Sequence, residues 1–247
     1  MTIRTDGIVI REQQTGEQDR LVTVLTRENG IIKAFVNGGR NPKNKNVAAT
    51  GLLCYSDFSI EKTKKDVFII KEATSREVFF ALRENIISLS LAQYFAELTY
   101  ELAPREEDSS EFLSLLLNAV FLVTKGKKDM RLIKAVTELR MLSVSGYMPS
   151  LVACASCCRY ESEKMYFDLN SGELFCEECN LKSSLQPLSL TTVSAMRHIC
   201  FSEPRKIFSF SIPEADLSDL SFVAEIYLRN ITARKYKTLD FYKMMTS

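Results

Sequence analysis

Two cysteine pairs constrain this chain more tightly than anything else in it. Cys154-Ala-Ser-Cys157 and Cys176-Glu-Glu-Cys179 are CxxC motifs separated by eighteen residues, a spacing that suits a four-cysteine zinc ribbon or knuckle. Each CxxC turn brings two sulfurs close together on backbone whose N–H groups can donate to them, and two such turns complete a tetrahedron. The intervening stretch fits this reading. Residues 164–169 are predicted as a strand, Asn170-Ser171-Gly172 as a turn and Leu174-Phe175 as the return strand that delivers the second pair. Four thiolates fill the coordination sphere and leave no place for water, so the expected ion is a structural Zn2+. Cys158 stands beside Cys157 and competes with it as a ligand, although the CxxC spacing favours Cys157. Cys54 and Cys200 lie in apolar contexts and read as buried core thiols.

Charge adds a second constraint. The 247 residues carry 32 Lys and Arg against 31 Asp and Glu, so affinity for a polyanion has to come from local clustering. Hydrophobic residues at 46% and charged residues at 26% suit an ordinary globular protein. The N-terminus lacks the apolar run of a signal peptide, and the longest apolar segment, residues 112–123, is broken by Ser114 and Asn118. No membrane association is expected, and the expected compartment is the cytoplasm, where free thiols and metal thiolates persist.

The first seventy or so residues read as β. Residues 7–11, 19–26, 31–37, 53–62 and 67–72 are short runs rich in Val, Ile, Leu and Phe, and Asn29-Gly30 supplies a hairpin turn. Five short strands predict a small barrel, with an OB-fold as the leading form and an SH3-like barrel as the alternative. From Arg76 the period changes. Leu91, Tyr94, Phe95, Leu98 and Leu102 share a helical face that ends at Pro104. A second helix carries Phe112, Leu115, Leu116, Ala119 and Val123 from a cap at Ser109 or Ser110 to Gly126. A third starts at Asp129 and stops at Gly146 and Pro149, and two more are predicted at residues 190–200 and 220–231. The predicted class is therefore α+β: an N-terminal five-stranded OB-fold barrel followed by an all-helical domain with an inserted four-cysteine zinc motif. The corresponding domains are residues 1–75, 76–153, 154–182 and 183–247, the last packing on the helical bundle.

Cations cluster in one connection of the barrel. Gly38-Gly39-Arg40-Asn41-Pro42-Lys43-Asn44-Lys45-Asn46 carries three positive charges and no negative one, and Lys33 precedes it on the third strand. The glycines and asparagines predict a flexible loop. A cationic loop beside a barrel groove suits the phosphates of a single strand, with aromatic residues such as Phe35 and Tyr55 available for stacking or for the core. A second basic stretch, Arg229, Arg234, Lys235, Lys237 and Lys243 against Asp240, reads first as the charged surface of a docking helix. The single histidine, His198, sits in a helical stretch and reads as structural. No nucleophile elbow, phosphate loop or dinucleotide fingerprint is present, and the chain is not expected to be an enzyme.

Taken in order, these elements resemble the bacterial RecO family of DNA repair and recombination mediators. The resemblance runs through Gly7-Ile8-Val9-Ile10, Asp19-Arg20-Leu21-Val22, Gly38-Gly39-Arg40, Tyr94-Phe95-Ala96-Glu97-Leu98, Glu138-Leu139-Arg140-Met141-Leu142 and Gly146-Tyr147-Met148-Pro149 to the paired CxxC. The Gly-Tyr-x-Pro followed by the paired CxxC is the specific part. The resemblance implies binding of single- and double-stranded DNA, annealing of complementary strands and no catalysis. It also implies contact with RecR and with the C-terminal tail of single-stranded DNA-binding protein (SSB), so that the RecA recombinase is loaded indirectly, in a nucleoid-associated cytoplasmic setting. It carries DNA contact to Lys33, Arg40, Lys43 and Lys45, more weakly to Arg20, and the zinc ligands to Cys154, Cys157, Cys176 and Cys179. Two positions depart from the family pattern. Cys158 stands where a glycine is usual, and Asn46-Val47 replaces a Ser-Arg pair. The runner-up reading is a zinc-ribbon adaptor that docks proteins without touching DNA.

Overall fold

The computed structural model describes residues 2–41, 43–181 and 184–246. Pro42 of the basic connection, Lys182 and Ser183 at the expected edge of the metal segment, and the two terminal residues lie outside the described residues. Five strands, β1 (Thr2–Thr15), β2 (Asp19–Thr26), β3 (Ile31–Val36), β4 (Tyr55–Lys62) and β5 (Phe68–Glu77), close into a barrel of order β1-β2-β3-β5-β4. β3 and β5 pair in parallel while the other neighbours run antiparallel. This five-stranded closure is that of an OB-fold. Val9, Val22, Val24, Ile32, Ala34, Val36, Phe58, Ile60 and Ile70 fill the interior, each strand contributing alternate residues.

The strands outrun their apolar stretches. β1 begins at Thr2, where polar and apolar residues alternate, and β5 continues through Glu77 because its exposed residues still pair with β4. One irregularity has consequences for the surface. In the β1–β2 ladder Val9 pairs with Val24 but Arg11 pairs with Thr23, so Ile10 is an extra residue. Strict alternation from the inward Val9 would turn Arg11 into the barrel. The bulge resets the phase and puts Arg11 on the outer face.

Six helices lie among the described residues: α1 (Ile86–Leu102), α2 (Ser110–Lys125), α3 (Met130–Leu142), α4 (Leu190–Phe201), α5 (Glu214–Thr232) and α6 (Lys237–Thr246). Their ends follow local chemistry. Asn85 caps α1 through Ile87 and Ser88 N–H, Asp129 caps α3 through Arg131 N–H, and Ser189 caps α4 through Thr192 N–H. Ser109 caps nothing with its side chain; its hydroxyl donates to the Thr26 carbonyl of β2. Among the described residues no helix is long and apolar enough to cross a membrane.

The chain divides into two compact units, residues 1–125 with 236–247, and residues 126–235. In the first, α1 packs on α2, on α6 and on β1. In the second, α3 packs on α5 and α4, beside a four-stranded sheet of order β6-β8-β7-β9, from β6 (Ser150–Cys154), β7 (Met165–Phe167), β8 (Glu173–Cys176) and β9 (Gln186–Leu188).

The α3–α5 contact encloses charge. Lys134 Nζ lies 2.9 Å from a carboxylate oxygen of Glu138 and 2.9 Å from one of Glu225, and all three residues are buried. Burial alone would depress the ammonium, but Glu138 and Glu225 hold it above the usual lysine range. A lysine raised in this way contributes its full stability below its unfolded pKa of about 10.4 and loses it as pH rises through the folded value. Lys134→Met leaves two carboxylates buried without their cation. It should cost about 3–5 kcal/mol, read from urea melts at neutral pH, and the wild-type protein should lose stability above the lysine range faster than the variant.

Candidate metal centre and nucleic-acid interface

The second unit builds the sulfur cluster from two strand ends. Cys154 is the last residue of β6 and Cys176 the last of β8, two strands that run in parallel and so finish side by side. The turn after β6 returns Cys157, and a single 3-10 turn, Glu177–Cys179, returns Cys179. The four sulfurs lie within 4.8 Å of one another, with Cys157 and Cys176 Sγ 3.6 Å apart. A tetrahedron with metal–sulfur bonds of about 2.3 Å has edges of about 3.8 Å, so the donors already stand at coordination spacing.

Their electrostatics favour a cation. Burial would raise the Cys154 thiol, but N–H groups of Cys157, Cys176 and Ser156 aimed at its sulfur outweigh this and bring it down to about 6. Cys179 is pushed up to about 12, chiefly by its hydrogen bonds with Cys176 and Cys157. The thiol is lowered at Cys154 and raised at Cys157 and Cys179 because the sulfurs share protons that a divalent ion would displace. The group can hold a metal ion.

Two arginines frame it. Arg159 forms a fork with Glu178 at 2.8 and 2.9 Å, joining the two knuckles. Arg197 of α4 is buried and donates to the carbonyls of Leu151, Val152 and Tyr160. The hairpin turn between the knuckles docks on α5, where a Cβ on Gly172 (φ 73°) would sit 2.5 Å from the Tyr227 hydroxyl. His198 has Nε2 at 2.9 Å from the Lys206 carbonyl and Nδ1 at 3.1 Å from Ser202 Oγ.

Cys157 brings its sulfur into the group and Cys158 does not. Cys158 is exposed, takes φ 61° and donates its N–H to the Cys154 carbonyl. The backbone there is left-handed, which favours glycine; this explains why a glycine suits the position.

The cations of the barrel fall into distinct settings. Arg20 is committed inside the protein: it donates to the Val47 carbonyl and Thr50 Oγ1 and pairs with Glu12. Lys45 is exposed and 2.9 Å from Glu72. Arg40 is exposed, its backbone and side chain donating to the carbonyls of Gln18 and Glu17. Lys43 is exposed with no side-chain partner among the described residues. The connection itself is framed, contrary to the flexible loop expected. Asn44 donates to the Asn37 carbonyl, Asn41 accepts from Lys43 N–H, and buried Asn46 bridges the Lys71 carbonyl and Ala73 N–H of β5. Asparagine side chains imitate backbone in turns, and here they bind the connection to the barrel.

Lys33 points outward from β3, with Nζ 5.5 Å from the centre of the Tyr100 ring. Arg11 and Arg105 approach the same ring at 4.2 and 5.7 Å. Phe35 is half-buried on the same strand, whereas Tyr55 has its hydroxyl tied to Asp6 and Arg76. A groove of about 520 Å³ along β1, β4 and β5 is lined by Arg4, Asp6, Glu28, Asp57 and Glu72; Asp6, Asp57 and Glu72 are ion-paired with Arg27, Arg76 and Lys45, so among the described residues the groove presents no free cation beyond Arg4.

Residues 1–79 match the family described as Recombination protein O N terminal, and residues 83–240 match Recombination protein O C terminal. The chain belongs to the RecO family. Among its relatives is the DNA repair protein RecO of Acetivibrio thermocellus, 32% identical over 98% of this chain and 97% of that protein. Those of Caldicellulosiruptor bescii, 26% identical over 98% of each chain, and Dehalococcoides mccartyi strain CBDB1, 28% identical over 96% and 93%, are similar. RecO membership places the chain in DNA repair and recombination.

Sequence reasoning from the RecO resemblance reached Lys33 but not Arg11, Tyr100 or Arg105. Their proximity depends on a bulge and on a helix end, neither of which carries a local motif. Cys158→Gly should leave the four-sulfur group intact and stabilise the knuckle by about 1 kcal/mol, measured by thermal denaturation.

Proposed function

We propose that this chain is a recombination mediator that binds single- and double-stranded DNA through its barrel and anneals complementary strands. It helps load the RecA recombinase onto SSB-coated single strands, acting with RecR and contacting the C-terminal tail of SSB. The role requires no bond-making chemistry by the chain itself. The observation that carries the reading is a family match along almost the whole chain in a barrel whose Lys33, Arg40 and Lys43 face solvent without a carboxylate partner among the described residues. Such cations release counterions when they meet phosphates.

Within this reading residues 1–75 contact DNA, residues 76–153 and 183–247 serve partner proteins, and residues 154–182 brace the helical part in a cytoplasmic, nucleoid-associated protein. Arg20 supports the connection from within, and Lys45 exchanges Glu72 for phosphate. The ion at Cys154, Cys157, Cys176 and Cys179 is Zn2+ in a structural role, since four sulfurs leave no position for substrate. A competing reading, a protein adaptor that never touches DNA, draws on the near-neutral net charge of +1.

Anisotropy of a labelled oligothymidylate separates the two. The proposed role gives binding in dilute buffer that falls steeply with salt, and Arg40→Glu with Lys43→Glu weakens it about tenfold or more whatever the base sequence. Wild-type affinity in that double variant would remove the connection from the interface, and absence of binding by the unaltered protein at low salt would favour the adaptor. Cys176→Ser should release the metal and expose residues 150–185 to protease while the barrel stays folded. Full metal content in that variant would refute the ligand set.

A further inference from the structure

Arg11, Lys33 and Arg105 converge on one aromatic ring, that of Tyr100, and so gather like charge at one place. Arg11 pairs with Thr23 and Thr23 with Lys33, so the two cations flank a single threonine in one row across β1, β2 and β3. Thr23 is buried although it faces outward. Arg105 follows the end of α1 and reaches the same ring. All three cations are exposed at the residue level.

Like charges gathered within about 6 Å of one ring gain a modest attraction from its quadrupole and repel one another. Arg20, Arg27, Lys45, Lys71 and Arg76 of the barrel each have a carboxylate within ion-pair distance, whereas Arg40 and Lys43 stand apart on the connection after β3. Among the described residues none of the Tyr100 trio has a carboxylate that close. The trio is also built by a device. Without the bulge at Ile10, Arg11 would turn inward; the ladder gives up regular pairing and Arg11 lies over the ring at 4.2 Å. With a guanidinium on its face, the ring is a poor stacking platform and a good support for cations.

We propose that Arg11, Lys33 and Arg105, held around Tyr100, form a phosphodiester-binding subsite that grips consecutive phosphates of a DNA strand on the outer face of β1–β3. The proposal rests on the DNA-binding reading and sharpens it, since it moves the principal grip from the asparagine-framed connection to this ring. Tyr100 is a positioning residue: the cations around it, Lys33 foremost, hold its phenol below the usual tyrosine range despite partial burial.

The test uses the full chain and a labelled oligothymidylate. Replacing Arg11, Lys33 and Arg105 together by glutamine should weaken binding at least about tenfold at low salt and reduce the slope of log affinity against log salt by about 2, at roughly 0.7 per lost single-strand contact. All three are exposed, and an unchanged circular dichroism spectrum confirms the fold. Arg76→Gln, which removes a carboxylate-paired arginine of the same barrel, should bind as the unaltered protein does. Because the chain has no tryptophan, Tyr100→Trp provides a single emitter at the ring, whose emission should change on adding oligonucleotide. A triple variant with unaltered affinity and slope, while Arg40→Glu with Lys43→Glu loses binding, would overturn the subsite and leave the DNA-binding role standing. Binding seen by anisotropy with unchanged Trp emission would overturn it as well. Failure of the unaltered protein to bind DNA in dilute buffer would overturn both.

Discussion

A strand of fourteen residues pairs with β4 through its first half and with β2 through its second, and the barrel closes only because one strand serves both neighbours. Such a strand must bend sharply where it passes from one partner to the other. The extra residue at Ile10 lies just beyond that passage, where a bulge increases bend and twist. The same irregularity decides which side chains of the second half face out. Closure of the barrel and placement of Arg11 are thus one event in the backbone.

Much of this was legible in the sequence, and the parts that were not share a cause. β2 matches its predicted range because its apolar residues and its hydrogen-bonding ladder have the same extent, whereas β1 and β5 extend into polar residues held by pairing alone. Hydropathy reports burial, so it is silent where a strand continues on the surface. The parallel pairing of β3 with β5, which separates the OB-fold from the other candidate barrel, joins residues more than thirty positions apart and has no local signature. The sulfur cluster was legible because its geometry is written in short spacings. The CxxC spacing already favoured Cys157 over Cys158; what a cysteine at 158 conceals is the left-handed backbone there.

The basic connection shows how composition can mislead about mechanics. Asn41, Asn44 and Asn46 suggested freedom, yet each supplies the carbonyl or amide that a turn lacks, and Asn46 fastens the segment to β5. A connection held this way presents Arg40 and Lys43 at fixed places and loses less entropy on meeting a polyanion than a loose loop would. Preorganisation, rather than reach, is the property its asparagines confer.

Cations in this chain serve two different ends. In residues 126–235 Lys134 and Arg197 are buried and saturated, one by carboxylates and the other chiefly by backbone carbonyls. There the charges fix helices and knuckle strands in register, a job suited to a sheet of strands no longer than five residues. In the barrel the hydrophobic interior already performs that task, and cations are free to remain at the surface. A net charge of +1 therefore conceals a division of labour: charge buried with its partner stabilises structure, while charge exposed without one retains the electrostatic free energy that an arriving anion can release. Charge totals cannot distinguish these uses; the pairing of each cation can.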